Sequence, residues 1–151
     1  VLEQISPIYK QYSKEWFKLY FNKFGRYWDV DTRLAPKKHT IREDKHDRWH
    51  AGVLIHFTVF PRSSKMFRFA PVIPCKSVQT IEIEYLLDLE IFKTSPLLPA
   101  PISVEVDERT LDATEVQMLA QNDGFDSVDD FFEWFNTDFT GKIIHWTDLK
   151  Y

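Results

Sequence analysis

The spacing of apolar side chains predicts a helix near the start of the chain. Ser6 and Pro7 form a favourable N-cap and first turn, and Gly25 supplies a stop. Across residues 7–24, apolar residues recur at intervals of three and four, the period of an amphipathic helix. The residues on this apolar stripe are Ile8, Tyr12, Trp16, Leu19, Tyr20 and Phe24.

Alternation of apolar and polar residues predicts strands in the middle of the chain. The segments VLIHFTVF (53–60) and KSVQTIEIEYL (76–86) alternate and are rich in β-branched or aromatic residues. Shorter strands are expected at 40–42 and 67–69, and ISVEVDE (102–108) reads as a strand followed by a turn. Loops are expected at the segments that carry proline without a sustained period, 26–37 and 93–101.

The last third of the chain predicts two helices and a final strand. ATEVQMLAQNDGF reads as a helix that begins after Leu111 and Asp112 and ends at Gly124. DSVDDFFEWF reads as a second, short helix with an Asp and Ser cap and acidic residues in its first turn. GKIIHWTDLKY (141–151) reads as a strand. One side of that strand would carry Ile143, His145 and Thr147, and the other Ile144, Trp146 and Asp148.

These elements predict one domain of the α+β class. Antiparallel strands with helices between them are typical of an α+β fold or a helix-decorated barrel. A chain of 151 residues with 44% hydrophobic residues can bury a single core, so residues 1–151 are expected to be one domain with a helical extension at about 7–24.

No apolar run approaches the ~20 residues of a membrane span. Cys75 is the single cysteine, which excludes an internal disulfide and favours the cytoplasm.

Charge is divided unevenly along the chain. Residues 1–76 carry 15 Lys or Arg against 7 Asp or Glu, whereas residues 77–151 carry 4 against 16. The net charge of −4 therefore hides a basic first half and an acidic second half. Either the two halves neutralise each other within the fold, or the basic half faces the phosphates of a partner while the acidic half faces solvent.

Three motifs together carry a family resemblance. They are KKHTIREDKHDRWHAG (37–52), LAQNDGF (119–125) and GKIIHW (141–146). With these motifs in this order, the chain resembles the ASCH domain, a family with a PUA-like β-barrel of mostly antiparallel strands and flanking helices. The matching positions are Lys37, Thr40, Ile41, Arg42, Glu43 and Gly52, and later Asp123, Gly124 and Phe125.

The resemblance covers most of the chain, from about residue 36 to residue 151, with an insertion at about 86–103. It departs from the family pattern at Ala35, where the signature has Gly. It departs again at residues 7–24, where a helix stands in place of the usual first strand.

The resemblance implies a central cleft that binds RNA or a modified nucleoside and needs no cofactor. One branch of the family consists of small amidohydrolases that remove the acetyl group of acetylcytidine with a Lys, a Thr and a Glu. Carried over by position, these residues are Lys37, Thr40 and Asp123, the last one methylene shorter than Glu. RNA or nucleoside binding is therefore the leading expectation, and hydrolysis of an acylated pyrimidine nucleoside is the alternative.

Amide hydrolysis needs the residue types found at these three positions. Thr40 would be the nucleophile, Lys37 its base, and Asp123 a proton carrier or orienting group. Taken without the resemblance, Lys37 is an ordinary solvated loop lysine and Thr40 an ordinary β-branched strand residue. Both interpretations stay open at the level of sequence.

Four further residues are candidates for ligand binding. Arg42 either binds a phosphate or carboxylate with its planar fork or pairs with a nearby acidic residue. Trp49 follows Arg48 and either stacks on a base or packs in the core, and core packing is favoured. His145 and Trp146 on the last strand share this ambiguity, since one face of that strand would line the cleft.

The remaining candidate sites are a metal centre and a protein-binding helix. His39, His46 and His50 lack the spacing of a closed metal site, so we expect polar loop histidines and no metal. A protein-interaction module is a third function, in which the acidic helix offers its aromatic residues to a partner, although burial of that face is favoured. Those aromatic residues are Phe131, Phe132, Trp134 and Phe135.

Overall fold

The computed structural model describes residues 7–27, 37–85 and 102–151, with side chains from residue 14 onward. Most of the expected loops and the insertion therefore lie outside the described residues, as do the side chains of Ile8 and Tyr12 of the apolar stripe. In chain order the elements are α1 (Pro7–Phe24), β1 (His39–Arg42), β2 (Leu54–Ile55), β3 (Thr58–Val59), β4 (Phe67–Arg68), β5 (Ile73–Pro74), β6 (Ser77–Tyr85), β7 (Ile102–Val106), β8 (Arg109–Thr110), α2 (Ala113–Asn122), α3 (Val128–Trp134) and β9 (Phe139–His145).

The chain divides into two compact units. One unit comprises residues Val1–Arg33 and Leu54–Pro74, and the other comprises Leu34–Val53 and Cys75–Tyr151. The first contains α1 and the short strands β2 to β5, and the second contains the remaining elements. No helix among the described residues is long and apolar enough to cross a membrane.

Helix α1 packs its aromatic residues within the first unit. Trp16, Tyr20 and Phe24 follow the predicted spacing, and each lies within about 6 Å, ring centroid to ring centroid, of Phe67 on β4. The helix ends at Gly25 as predicted, where φ is +68° and the amide donates to the Phe21 carbonyl at 2.8 Å. Leu19 was placed on the same stripe, but its side chain is 57% exposed, so that assignment is wrong.

The predicted strand at 53–60 is wrong, because the segment forms two separate strands. β2 pairs with β5 and β3 pairs with β4, each in an antiparallel ribbon of two residues per strand. The chain changes partner between β2 and β3, and Phe60 takes a positive φ of 50° at the end of β3. Alternation predicted the extended backbone, but it carries no information about a change of pairing partner.

The second unit is built on a five-stranded antiparallel sheet. The strand order is β1-β9-β6-β7-β8, with β9 and β6 in the centre. Together with the three helices this gives an α+β fold, as predicted. The sheet is open, with β1 and β8 at its two edges, and no closed barrel is found among the described strands.

The two helices of this unit begin and end as the sequence predicts. Asp112 caps α2 by accepting from the Glu115 amide at 2.8 Å, and the Glu115 carboxylate accepts from the Asp112 amide at 3.0 Å. Ser127 caps α3 by accepting from the Asp130 amide at 3.0 Å. The core under the helices consists of branched residues of the sheet with Leu119, Ala120 and Phe131 of the helices, and its sheet members are Ile41, Ile81, Ile83, Val104, Val106 and Ile143.

The last strand is shorter than predicted. β9 ends at His145, and residues 146–151 are outside any strand. The side chains of Ile143, Ile144 and His145 are all fully buried, so both faces of β9 are covered at this end. The prediction of a strand over residues 141–151 is therefore wrong beyond His145.

Candidate functional site

Asp123 is placed by the way helix α2 ends. Gly124 has a φ of +91°, which only glycine adopts without strain, and its amide donates to the Gln121 carbonyl at 3.0 Å. The next amide, of Phe125, donates to the Ala120 carbonyl at 3.0 Å. These two bonds form a Schellman motif with Asp123 at the C-cap. The segment NDGF thus ends the helix and fixes where the Asp123 carboxylate lies.

The end of α2 lies against the open edge of β1. The Ile41 amide donates to Asp123 Oδ1 at 3.0 Å, and the Lys38 amide donates to the Asn122 carbonyl at 2.8 Å. Asp123 is 6% exposed. Backbone amides on an edge strand are open to unwanted pairing, and these two bonds occupy two of them. Asp123 therefore has a structural role whatever it binds.

Lys37 reaches the same carboxylate. Its Nζ lies 3.3 Å from Asp123 Oδ1, and 41% of its side chain is exposed. Its aliphatic carbons lie over Gly124, where an added Cβ would be 3.4 Å from Lys37 Cδ. The structure thus brings together two of the three residues that the family resemblance singled out, one from each end of the second unit.

Thr40 does not join this pair. Residues alternate in burial along β1, with His39 and Ile41 buried on one face and Thr40 and Arg42 on the other. In the described part of the chain no hydrogen bond links Thr40 to Lys37 or Asp123. Thr40 is partly buried and lies on the face of the strand opposite to His39 and Ile41.

A buried polar cluster lies beside the Lys37–Asp123 pair. His39 has no exposed area, and its Nε2 lies 2.7 Å from the Tyr151 hydroxyl. The same hydroxyl accepts from Asn122 Nδ2 at 2.9 Å, and burial raises the pKa of Tyr151 to about 12. His39 Nδ1 lies 3.3 Å from Asp123 Oδ1. The expectation of a polar loop histidine at position 39 is therefore wrong.

His145 is the second histidine of this cluster. Its ring lies 5.4 Å from the His39 ring, centroid to centroid, and it has no exposed area. Neither ring nitrogen has a hydrogen-bond partner among the residues that the structure describes. Burial lowers the pKa of His145 to about 4, and the positive charge of Lys150 acts in the same direction. The imidazole is therefore neutral at pH 7.

Sequence reasoning missed Tyr151 and Asn122, and it treated His39 as a surface residue. A usable signal for His39 was the alternation of β1, because a residue two positions before the apolar Ile41 shares its face. No local signal identified Tyr151, which is held from a distance. Its amide donates to Gln79 Oε1 at 3.0 Å and its carbonyl accepts from Gln79 Nε2 at 3.0 Å.

The basic stretch after β1 is an ordered loop. Asp44 accepts from the amides of Arg48 at 3.0 Å and Trp49 at 2.9 Å, and Lys142 Nζ on β9 lies 3.3 Å from its carboxylate. The Trp49 amide contributes most to a lowered pKa of Asp44, and Lys142 adds to it. Lys142 also contacts the Asp47 carboxylate and donates to the Trp49 carbonyl at 3.0 Å.

The other predicted ligand-binding residues occupy different environments. Arg42 is exposed, whereas Trp49 and Trp146 are partly buried. His46 and His50 are exposed, and among the described residues no group of three His, Cys, Asp or Glu could hold a metal ion. On α3, the side chains of Phe131 and Phe135 are buried and that of Phe132 is partly buried, whereas Trp134 is 72% exposed.

Comparison with known proteins adds no relative. No family model, no curated protein and no solved structure matches the chain. The contacts around Asp123 and the charges beside it are therefore the grounds on which a function is proposed.

Proposed function

We propose that this chain is an ASCH-type domain of PUA-like fold that binds RNA or a modified nucleoside at the surface around Lys37 and Asp123. The observation that carries the proposal is the 3.3 Å approach of Lys37 Nζ to Asp123 Oδ1. These residues belong to two sequence motifs far apart in the chain, and the family resemblance assigns both to one site. The antiparallel sheet with flanking helices is compatible with that family.

The site combines groups that suit a nucleobase. A carboxylate accepts a hydrogen bond from an exocyclic amino group, and an ammonium donates to a ring nitrogen or carbonyl. Asp123 is buried and held by the Ile41 amide, so its position is fixed before a ligand arrives. Lys37 is partly exposed and remains accessible to a ligand.

Cationic side chains that suit phosphate lie on the same stretch of chain. Lys38, Arg42 and Arg48 are exposed, and none of them has an ion-pair partner within the described ranges. Phosphate contacts position a nucleic acid, and base contacts make the binding specific. The proposal therefore assigns phosphate binding to these cations and base recognition to the Lys37–Asp123 pair. It places this activity in the cytoplasm, where Cys75 stays reduced.

Arg42→Gln is expected to weaken the binding of a short single-stranded RNA and to flatten its salt dependence. Each phosphate neutralised by the protein releases about one counterion, so losing one contact lowers the slope of log K against log salt by about 0.7 for a single strand. Fluorescence anisotropy at several salt concentrations measures both quantities.

The matched control for this experiment is Arg109→Gln. Arg109 lies on β8, at the opposite edge of the sheet from β1, so this variant removes the same charge far from the proposed site. Equal losses of affinity in both variants would show a general charge effect and would contradict the assignment. No RNA or nucleoside binding by the unmodified chain would overturn the proposed function.

An amidohydrolase acting on acetylcytidine is the second candidate, and the same pair of residues favours it. A Lys beside a buried carboxylate can take part in proton transfer, and water would cleave the amide to give cytidine and acetate. Thr40, the proposed nucleophile, makes no hydrogen bond to Lys37 or Asp123 within the described residues, so the arrangement supports this reaction less than it supports binding.

Chromatography of acetylcytidine after incubation with the protein tests the second candidate. The amidohydrolase hypothesis predicts cytidine release by the unmodified chain and none above background with Lys37→Ala. Equal amounts of cytidine from both proteins would exclude hydrolysis at this site.

A further inference from the structure

A chain of polar groups leads from the proposed ligand site into the protein interior. It runs from Lys37 through Asp123 and His39 to the Tyr151 hydroxyl, over distances of 3.3, 3.3 and 2.7 Å between successive polar atoms. His39 has no exposed area and Asp123 is 6% exposed. A polar path of this kind is costly to bury unless its members satisfy one another, so the direction of each hydrogen bond matters.

The contacts of Tyr151 favour one direction for the bond between its hydroxyl and His39, whose ring nitrogen can donate or accept according to the tautomer. Asn122 Nδ2 can only donate, so at 2.9 Å the Tyr151 oxygen is the acceptor. The single proton of the phenol is then free to be donated to His39 Nε2 at 2.7 Å. Burial keeps the phenol protonated, because the pKa of Tyr151 is raised to about 12.

The state of His39 follows from that bond. A neutral imidazole that accepts at Nε2 carries its proton on Nδ1. His39 Nδ1 lies 3.3 Å from Asp123 Oδ1, and it has no other partner among the described residues. The geometry of this last contact falls short of a hydrogen bond, so the approach is electrostatic. Such contacts in free sites are often long and tighten when the ligand binds.

Asp123 Oδ1 is thereby approached by three donors. These are the Ile41 amide at 3.0 Å, Lys37 Nζ at 3.3 Å and His39 Nδ1 at 3.3 Å. The other carboxylate oxygen, Oδ2, has no partner in the part of the chain that the structure describes. The Ile41 amide and Lys37 therefore engage one oxygen of the carboxylate, His39 Nδ1 lies beside that same oxygen, and the second oxygen is left as an acceptor.

We infer that Tyr151 and His39 are positioning residues, which hold Asp123 by its Oδ1 so that Oδ2 is presented to an N–H or O–H donor of the ligand. The ligand class is a molecule with a donor next to an acceptor, such as the amino edge of a nucleobase, because Lys37 supplies the complementary donor. This inference rests on the proposed function for its ligand. The proton arrangement itself is independent of any ligand.

The proton arrangement is measured by long-range proton–nitrogen NMR of the histidine rings at pH 7, with the His39 signals assigned from a His39→Gln variant. The expected result is a protonated Nδ1 and an unprotonated Nε2 at His39. A protonated Nε2, with or without a proton on Nδ1, would overturn the inference. The proton positions are measured on the unmodified protein, and the variant serves only to assign the signals.

Tyr151→Phe tests whether the phenol imposes this state. The variant keeps the aromatic ring and removes the donor to His39 Nε2, so His39 is expected to shift to a mixture of the two neutral tautomers. Tyr85→Phe is the matched control, since Tyr85 also buries part of its ring and donates its hydroxyl to the Phe135 carbonyl at 2.5 Å, away from this cluster. An unchanged His39 spectrum in Tyr151→Phe would contradict the role of Tyr151.

Measurements of ligand affinity distinguish a failure of the positioning role from a failure of the proposed function on which it rests. Tyr151→Phe is expected to weaken RNA or nucleoside binding by about three- to tenfold, the range that one hydrogen bond supports, while Tyr85→Phe leaves it unchanged. If the unmodified chain binds and Tyr151→Phe binds equally well, the positioning role is wrong. If the unmodified chain binds neither ligand, the proposed function and the presentation of Oδ2 to such a ligand both fail, and NMR still decides the proton arrangement.

Discussion

Lowering the pH from 7 to 4 is expected to reduce the free energy of unfolding by about 3 kcal/mol through His145 alone. Burial lowers the pKa of this ring from 6.5 to about 4, and its side chain has no exposed area. In the unfolded chain the imidazole keeps its ordinary pKa. Between pH 6.5 and 4 the unfolded state therefore binds more protons than the folded state. The stabilisation is fully present above about pH 6.5 and is lost as the pH falls towards 4.

Urea unfolding at several pH values between 7 and 4 measures this loss. His145→Leu removes the titrating ring and is expected to flatten the dependence on pH. It also removes two buried ring nitrogens that have no partner, so it costs no hydrogen bond at pH 7. An exposed histidine provides the control, because His56→Gln should leave the steep dependence unchanged. Equal acid sensitivity in His145→Leu and the unmodified chain would contradict the prediction.

Carboxylates change the stability of the fold at lower pH than His145 does, so the two contributions can be distinguished. Hydrogen bonds lower the pKa of Asp44 and the pKa of Asp107 from 3.8, chiefly the bond from the Trp49 amide to Asp44 and the bond from the Gln79 side chain to Asp107. A group with a lowered acidic pKa stabilises the folded state above its unfolded pKa and stops doing so as the pH falls below it. The stabilisation that these two carboxylates contribute therefore begins to be lost near pH 4. At that pH the loss of stability due to His145 is nearly complete.

Gly141→Ala is expected to destabilise the protein by about 2–3 kcal/mol, which is within the range for overpacking a core. Gly141 lies on β9, between β1 and β6. A Cβ there would be 2.5 Å from the Arg42 carbonyl oxygen and 2.7 Å from two ring carbons of Phe139. The Phe139 ring can rotate away, but the carbonyl belongs to the backbone. Relief therefore requires β1 to move away from β9.

The unfolding midpoint in urea tests this prediction, with Thr140→Ala as the control. Thr140 is the neighbouring residue on β9 and is exposed, so its substitution removes little packing. An unfolding free energy for Gly141→Ala within about 0.5 kcal/mol of that for Thr140→Ala would show that the strands accommodate a methyl group. Movement of β1 would also displace the Ile41 amide that holds Asp123, so the variant is expected to bind ligand more weakly.

The ends of the helices were predictable because their determinants are local. The capping residues Asp112 and Ser127 and the terminating residue Gly124 act on amides and carbonyls within five residues of themselves. The same local geometry placed Asp123 at the end of α2. The family resemblance associated it with Lys37, and the two residues do lie in contact.

Strand pairing was less predictable because it depends on distant segments. The alternation at 53–60 correctly predicted extended backbone. The segment nevertheless forms two strands, because β2 pairs with β5 and β3 pairs with β4. At the end of the chain, His145 closes β9 because its partners on β1 and β6, His39 and Ser77, lie at the ends of their own strands. Periodicity indicates the backbone conformation of one segment, but it does not identify the strands with which that segment pairs.

The sequence by itself determined the α+β class, the limits of the helices in the second unit, and the Lys and Asp that meet beside Gly124. Each of these depends on residue type and short spacing, or on the resemblance of two motifs to those of a family. Only the tertiary structure decided that His39, His145 and Tyr151 form one buried cluster next to Asp123. Those residues come from β1, from β9 and from the segment after β9. The sequence around a histidine does not indicate whether the side chain is buried. Their environment is set by sheet pairing and by Gln79, which holds Tyr151 across the sheet.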